Sequence, residues 1–145
     1  MSGIVVGFDG SENAQHALEW AMREAARDHS PLTVLTVNEV AVSPGTGEAA
    51  LMPSDAVLLE QARRAAEDAA VKAAAQVGAA EPPSVTVTAM NGFAGQELIT
   101  ASHVADMLVI GSRGQLGFPA LRVSAIATKV AHYSTCPVVI VPPAS

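Results

Sequence analysis

The sequence predicts an α/β fold: a doubly wound, five-stranded parallel sheet with helices on both faces. Three observations carry that prediction. Five short runs rich in β-branched residues alternate with helical periodicities, giving β-α-β-α-β-α-β-α-β. The first, fourth and fifth runs are apolar throughout, as parallel strands buried on both faces require. Right-handed crossovers then leave few arrangements. The periodicities do not fix one of them; if the order is 3-2-1-4-5, the winding reverses between the first and fourth strands, and ligands of such sheets bind there, at the carboxyl ends. The loops after those two strands are the unusual ones in this chain.

The first strand is Ile4-Val5-Val6. Ser11 then offers an N-cap, and Ala14, Ala17, Leu18, Ala21, Met22 and Ala25 recur at helical spacing to about Arg27. Leu32 to Val37 is the second strand. The connection Asn38 to Pro53, with Ser43-Pro44-Gly45-Thr46-Gly47 at its middle, reads as a mobile loop or lid. A long helix starts at Ser54-Asp55, with Leu58, Ala62, Ala65, Ala69, Ala73 and Val77 as its expected buried stripe and Gly78 as its stop. Val85-Thr86-Val87-Thr88 alternates with period two and suits a half-exposed edge strand. A third helix is expected from about Ala94 to His103, then the strand Met107 to Ile110. A fourth helix follows Arg122 with Ile126, Ala127 and Val130 inward, and Pro137 to Val141 closes the sheet.

Composition bounds the function. The 145 residues are 50% hydrophobic, 15% charged and 3% aromatic, so one domain (1–145) with an aliphatic core is expected and disorder is not. Eight Lys and Arg against 14 Asp and Glu leave a formal charge of −6, which argues against a nucleic-acid partner. No apolar run approaches the ~20 residues needed to span a bilayer. The opening Met1-Ser2-Gly3 has no basic n-region, so no secretory signal is expected. The lone Cys136 cannot form an internal disulfide, and a cytoplasmic setting is the simplest reading.

After the fourth strand comes Gly111-Ser112-Arg113-Gly114-Gln115-Leu116-Gly117-Phe118. Glycines at every third position let main-chain amides approach a ligand without a Cβ in the way. Amides just before a helix form an anion site, and Arg113 adds a charge-assisted donor. A Gly-rich connection with no ligand fits the same residues. A Walker P-loop is excluded, because no G-x-x-x-x-G-K-[ST] occurs. After the first strand comes Gly7-Phe8-Asp9-Gly10-Ser11, which is not a dinucleotide fingerprint. Asp9 is either a turn residue or, facing the glycine loop, an acceptor for a base or ribose and a ligand for Mg²⁺.

Three segments together resemble the universal stress protein family: Val5 to Ser11, Ala105 to Gly114, and Cys136 to Val141. The resemblance covers essentially the whole chain. It implies the 3-2-1-4-5 order, a regulatory or sensor role in stress response, ATP (or AMP or ADP) with Mg²⁺ at the switch point in many members, and homodimers formed through the last strand. It places Asp9 and Val37 around adenine, with Gly10 and Ser11 in the adjoining turn. Ile110, Gly111, Ser112, Arg113, Gly114 and Gly117 fall near ribose and phosphates. The family's nucleotide motif is G-x2-G-x9-G-[ST]. Gly111 and Gly114 match its first two glycines, but Ser124 stands where the third belongs and Ala125 where the Ser or Thr belongs. Pro119, Ala120 and Arg122 also depart from the usual loop. Losing a hydroxyl on a charged phosphate costs about 1.5–3 kcal/mol, and each ~1.4 kcal/mol is tenfold in affinity. Ser124, as an N-cap, has an Oγ and an amide to offer in compensation. A dimeric partner-binding module of the same fold, with no nucleotide site, is the alternative that the altered pair favours. A flavin or redox carrier fits poorly with so few aromatics and one cysteine.

The remaining residues carry less. Asn91-Gly92-Phe93-Ala94-Gly95 reads as an Asn-Gly turn into a helix or, by resemblance, as a turn beside ribose. His16, His29, His103 and His132 lack metal-ligand spacing. No histidine is placed to activate Ser11 or Ser112, so no catalytic residue is assigned and any ATP hydrolysis would be slow. Cys136 is expected to be a buried, inert thiol. Trp20 lies off its helix's apolar stripe and is expected to cover a loop or an oligomer contact. The apolar terminal strand leaves an edge that pairing with its copy would satisfy, burying Val139 and Val141.

Overall fold

A computed structural model of the chain describes residues 3–113 and 124–144. The elements are β1 (Ile4–Gly7), α1 (Glu12–Asp28), β2 (Leu32–Glu39), β3 (Ala41–Val42), β4 (Ala49–Ala50), α2 (Ser54–Val77), β5 (Val85–Gly92), α3 (Ala94–Ala101), β6 (Met107–Gly111), α4 (Ala125–Tyr133) and β7 (Val138–Val141). The main sheet has the order β5-β2-β1-β6-β7. With the small β3–β4 hairpin set aside, this is 3-2-1-4-5, and every neighbouring pair is parallel. Among the described residues no helix is long and apolar enough to cross a membrane.

Alternate residues of each strand feed two cores, one per face of the sheet. Val6, Val34 and Val109 pack with Leu18, Met22 and the alanines of α1 and α2. Leu35, Leu108 and Ile110 pack with Leu98 of α3 and Val130 of α4. Trp20 is half-buried against the first of these cores. Val141 is already buried within the protomer, so pairing along β7 would not be needed to cover it.

The hairpin corrects the expected lid. β2 runs on to Glu39, and the connection beyond it folds into a two-stranded ribbon with Ala41 opposite Ala50. Its turn is held by the Ser43 N–H on the Glu48 carbonyl at 2.7 Å. Its base is pinned by the buried carboxylate of Asp55. Oδ1 accepts from Asn38 Nδ2 at 2.9 Å, and Oδ2 accepts from the Met52 N–H at 2.7 Å.

The α2 stripe also differs from expectation. Ala69 and Ala73 are buried, but Leu58 and Ala65 are exposed; Asp55, Ala66 and Ala70 complete the buried face. Alanine stands at 65, 66, 69, 70, 73, 74 and 75, so several helical faces look equally apolar in sequence. α3 ends at Ala101 rather than His103. There Ser102 is buried, its Oγ donating to the Ile99 carbonyl and accepting the Thr135 N–H. α4 begins at Ala125, capped by Ser124.

Candidate functional site

A cleft opens where the winding reverses, at the carboxyl ends of β1 and β6. β1 delivers Gly7, Phe8 and Asp9 to it, β2 delivers Leu35 and Val37, and β6 delivers Ile110 and Gly111. Ala94 and Leu98 of α3 form one wall; Arg113, Ser124 and the first turn of α4 form the other. The cleft holds about 120 Å³ and is open to solvent, so a ligand larger than a single ring extends out of it. Leu35, Leu98 and Ile110 make the floor apolar and the rim carries the polar groups, as small-molecule sites do.

Asp9 both lines the cleft and fastens its turn. Its Oδ1 accepts from the Ser11 N–H at 3.0 Å and from Ser11 Oγ–H at 2.6 Å. Ser11 Oγ in turn accepts the Ala14 N–H at 3.0 Å, capping α1. Both capacities of the Ser11 hydroxyl are thus committed to the fold. Gly10 has φ +85°, a left-handed conformation that costs any residue with a Cβ. Gly10 and Ser11 therefore serve the turn, and Asp9 alone of this loop's polar side chains faces the cleft.

The other wall is built around a residue that the periodicities did not single out. Asn13 is buried on the inner face of α1. Its Oδ1 accepts the Arg113 N–H at 2.7 Å and its Nδ2 donates to the Val141 carbonyl at 3.1 Å. Gly111 exists for this contact, since a Cβ there would stand 2.8 Å from Asn13 Oδ1. The available signal was a polar residue four positions before Ala17, on the apolar face of its helix.

Ser124 is the N-cap of α4, its Oγ accepting the Ala127 N–H at 3.0 Å. Its own amide donates to the Ser112 carbonyl at 2.7 Å. The amide is therefore spent on the fold, while the hydroxyl hydrogen can still be donated. Helix geometry leaves the first-turn amides of Ala125 and Ile126 without an intrahelical acceptor. Ser112 Oγ and Arg113 Nε are buried and, among the described residues, lack a hydrogen-bond partner. Both atoms are closed to solvent, so neither faces the open cleft in this structure.

Of the residues expected at the site, Asp9, Val37, Ile110, Gly111, Arg113 and Ser124 line one cleft. Gly10, Ser11, Ser112 and Ala125 stand behind that lining. Gly114 and Gly117, with Phe118, Pro119, Ala120 and Arg122, lie outside the described residues. The Asn-Gly turn is not one: Asn91 and Gly92 belong to β5, Asn91 Oδ1 accepts from Asn38, and Ala94 reaches the cleft. Cys136 is half-buried, and burial pushes its thiol pKa up. Among the described residues no group of three or more His, Cys, Asp or Glu could hold a metal ion.

The model of the universal stress protein family matches residues 1–142. The chain belongs to that family. Universal stress proteins of Mycobacterium tuberculosis and Mycolicibacterium smegmatis are 36% identical over 143 residues and 33% over 144, covering 97% and 96% of this chain. The chain spans about half the length of these curated relatives, 48% and 47%. Among solved structures, a universal stress protein of Lactobacillus plantarum matches with TM-score 0.77 at 23% identity, 97% of each chain being covered. A universal stress protein in complex with cAMP matches at TM-score 0.68 and 23% identity, covering 99% of this chain and 98% of its own. One from Archaeoglobus fulgidus in complex with dAMP matches at 0.65 and 19%, covering 97% and 98%.

Proposed function

We propose that this universal stress protein is a regulatory module that binds an adenine nucleotide in the cleft between β1 and β6 and works as a cytoplasmic homodimer. One observation carries the reading. A largely apolar cleft at the switch point of the sheet adjoins the N-terminus of α4, with Arg113 and the Ser124 cap on the same wall. The ring system of adenine fits the floor between Asp9 and Val37. Phosphate fits the donors at that wall: the Ala125 and Ile126 amides, the Ser124 hydroxyl and Arg113. The solved relatives holding cAMP and dAMP support an adenine ligand. ATP, ADP and AMP share the chemistry that these groups recognise. Mg²⁺ is usually held by one or two carboxylates plus ligand phosphates, so Asp9 supplies one ligand and the cation arrives with the nucleotide. Among the described residues the cleft's carboxylate, Asp9, is tied to Ser11, and the role we propose is binding rather than catalysis. The edge strand β7, with Val138, Val139 and Ile140 half-buried, supports dimerisation by strand pairing.

Thermal shift tests the reading. A ligand at 100 times its Kd stabilises by about 2.7 kcal/mol, which is roughly 5–10 °C for a chain of this size. A melting temperature unmoved by millimolar ATP, ADP or AMP with Mg²⁺ retires it. Mass spectrometry of denatured, freshly purified protein names any retained nucleotide, and sedimentation measures the dimer. A second reading, a dimeric partner-binding module with no nucleotide, is favoured by the commitment of the Ser124 amide to Ser112 and the missing hydroxyl at Ala125.

A further inference from the structure

The first turns of α1, α3 and α4 all reach the cleft, and those of α3 and α4 carry opposite local charge. Ala94, the first residue of α3, and Ser124, the cap of α4, both line it. Helix N-terminal amides attract anions. At α3 that position is filled from within. Glu39, the last residue of β2, puts Oε1 3.2 Å from the Ala94 N–H. The strand register brings it there, because Glu39 pairs with Gly92, two residues before the helix. Phe93 at the N-cap supplies no side-chain cap, so a residue 55 positions away does. Glu97 adds a second carboxylate in the same first turn. At α4 the first turn holds no acidic residue and the cap is a neutral hydroxyl. Arg113 lines that side, next to the buried, unpartnered Ser112 hydroxyl.

We propose that Glu39 is a specificity-determining residue: from beside the cleft, on the amide of the lining residue Ala94, its carboxylate disfavours anions at the α3 end. A phosphate-bearing ligand is then oriented with its charge toward α4 and its neutral, hydroxyl-bearing part toward β2. A neutral cap at Phe93 would hold α3 as well, but only a charge discriminates among ligands. The repulsion acts on anions alone, grows with their charge, and weakens as salt screens it. The ligand class rests on the nucleotide reading; the role of Glu39 is tested apart from it.

Glu39→Gln separates charge from capping, because the amide oxygen still accepts the Ala94 N–H. The probe is inorganic pyrophosphate, titrated into ¹⁵N-labelled protein at low ionic strength. In the wild type the amides of Ala125 and Ile126 should shift and those of Ala94 and Gly95 should not. In Glu39→Gln the Ala94 and Gly95 amides should respond too, and affinity should rise several-fold, the gain fading near physiological salt. An Ala94 response in the wild type equal to that of Ala125 overturns the proposal. So does identical behaviour of the two proteins, a lack of response in both included. A second arm compares adenosine, AMP and ATP by calorimetry. Glu39→Gln should leave adenosine unchanged and help ATP more than AMP; equal effects on all three overturn the proposal. If no adenine compound binds the wild type, the nucleotide reading fails, and the pyrophosphate titration still decides the role of Glu39.

Discussion

Replacing Gly111 with alanine tests the junction on which the cleft wall is built. The added methyl would stand 2.8 Å from Asn13 Oδ1 and 2.9 Å from its Cγ, inside any ordinary contact distance. Asn13 must then move, giving up its bonds to the Arg113 N–H at 2.7 Å and the Val141 carbonyl at 3.1 Å. The Val141 carbonyl keeps the Ser112 N–H at 2.9 Å, so it is not orphaned. The Arg113 N–H and the buried amide of Asn13 are. Each such group costs about 1–3 kcal/mol, and overpacking adds a similar amount. The lower chain entropy of alanine returns about 0.4–1 kcal/mol. The expected loss is roughly 2–5 kcal/mol, or about 5–15 °C in melting temperature.

The assay is urea unfolding of Gly111→Ala, Asn13→Ala and the double variant. Once Asn13 is truncated, the methyl at 111 has room, so its cost in that background should fall close to zero. The coupling between the two sites should then be about 2 kcal/mol or more. An equal cost of Gly111→Ala in both backgrounds would show that Asn13 is not what demands glycine there, and the reasoning would be refuted.

Ser124→Ala removes the α4 cap and should cost about 1 kcal/mol by chemical denaturation, with local loosening of 125–128 in hydrogen exchange. Asp55→Ala leaves Asn38 Nδ2 and the Met52 N–H without this acceptor. It should cost about 1–3 kcal/mol and raise exchange across the hairpin, 41–50. Cys136 should alkylate more slowly than free cysteine at neutral pH. Burial disfavours its thiolate, the Leu108 backbone opposes that more weakly, and Asp106 reinforces it. The rate should keep rising with pH past the usual thiol range; a rate matching free cysteine at pH 7 contradicts this.

How much was legible follows from what each pattern encodes. The alternating α/β architecture was readable because strand and helix periodicities alternate cleanly, whereas the strand order came with the family resemblance, the two odd loops being only consistent with it. The face of α2 was not, because its alanines make several stripes equivalent. The β3–β4 hairpin escaped because two-residue strands are too short to show a period. At the site, Asp9, Val37, Ile110 and Arg113 were legible from the glycine-rich loops and the family resemblance. Asn13 was not, because its role lies in contacts 100 and 128 residues distant. Glu39 was hidden for the same reason: a register, not a motif, brings it to α3.

The two altered motif positions give the last prediction its leverage, because their structural roles are cheap to restore. Ser124 caps α4, and glycine is nearly as good a cap, so Ser124→Gly should cost only a few tenths of a kcal/mol. Ala125 is exposed at the first helical position, where a serine side chain meets no packed neighbour. The double reversion Ser124→Gly with Ala125→Ser should therefore leave the melting temperature of the unliganded protein within a few degrees. A hydroxyl returned to a phosphate is worth about 1.5–3 kcal/mol, so ATP affinity should rise tenfold or more. Gly111 carries no such information, since its missing Cβ answers to Asn13 whether or not a nucleotide is present. Among the described residues the Ser124 side chain serves only the α4 cap, which glycine replaces at little cost, and a gain in affinity there reports on the ligand. A reverted protein that folds as before and binds ATP no better would mean that phosphate does not reach the start of α4. The cleft would then have to be read as the binding surface of something other than a nucleotide.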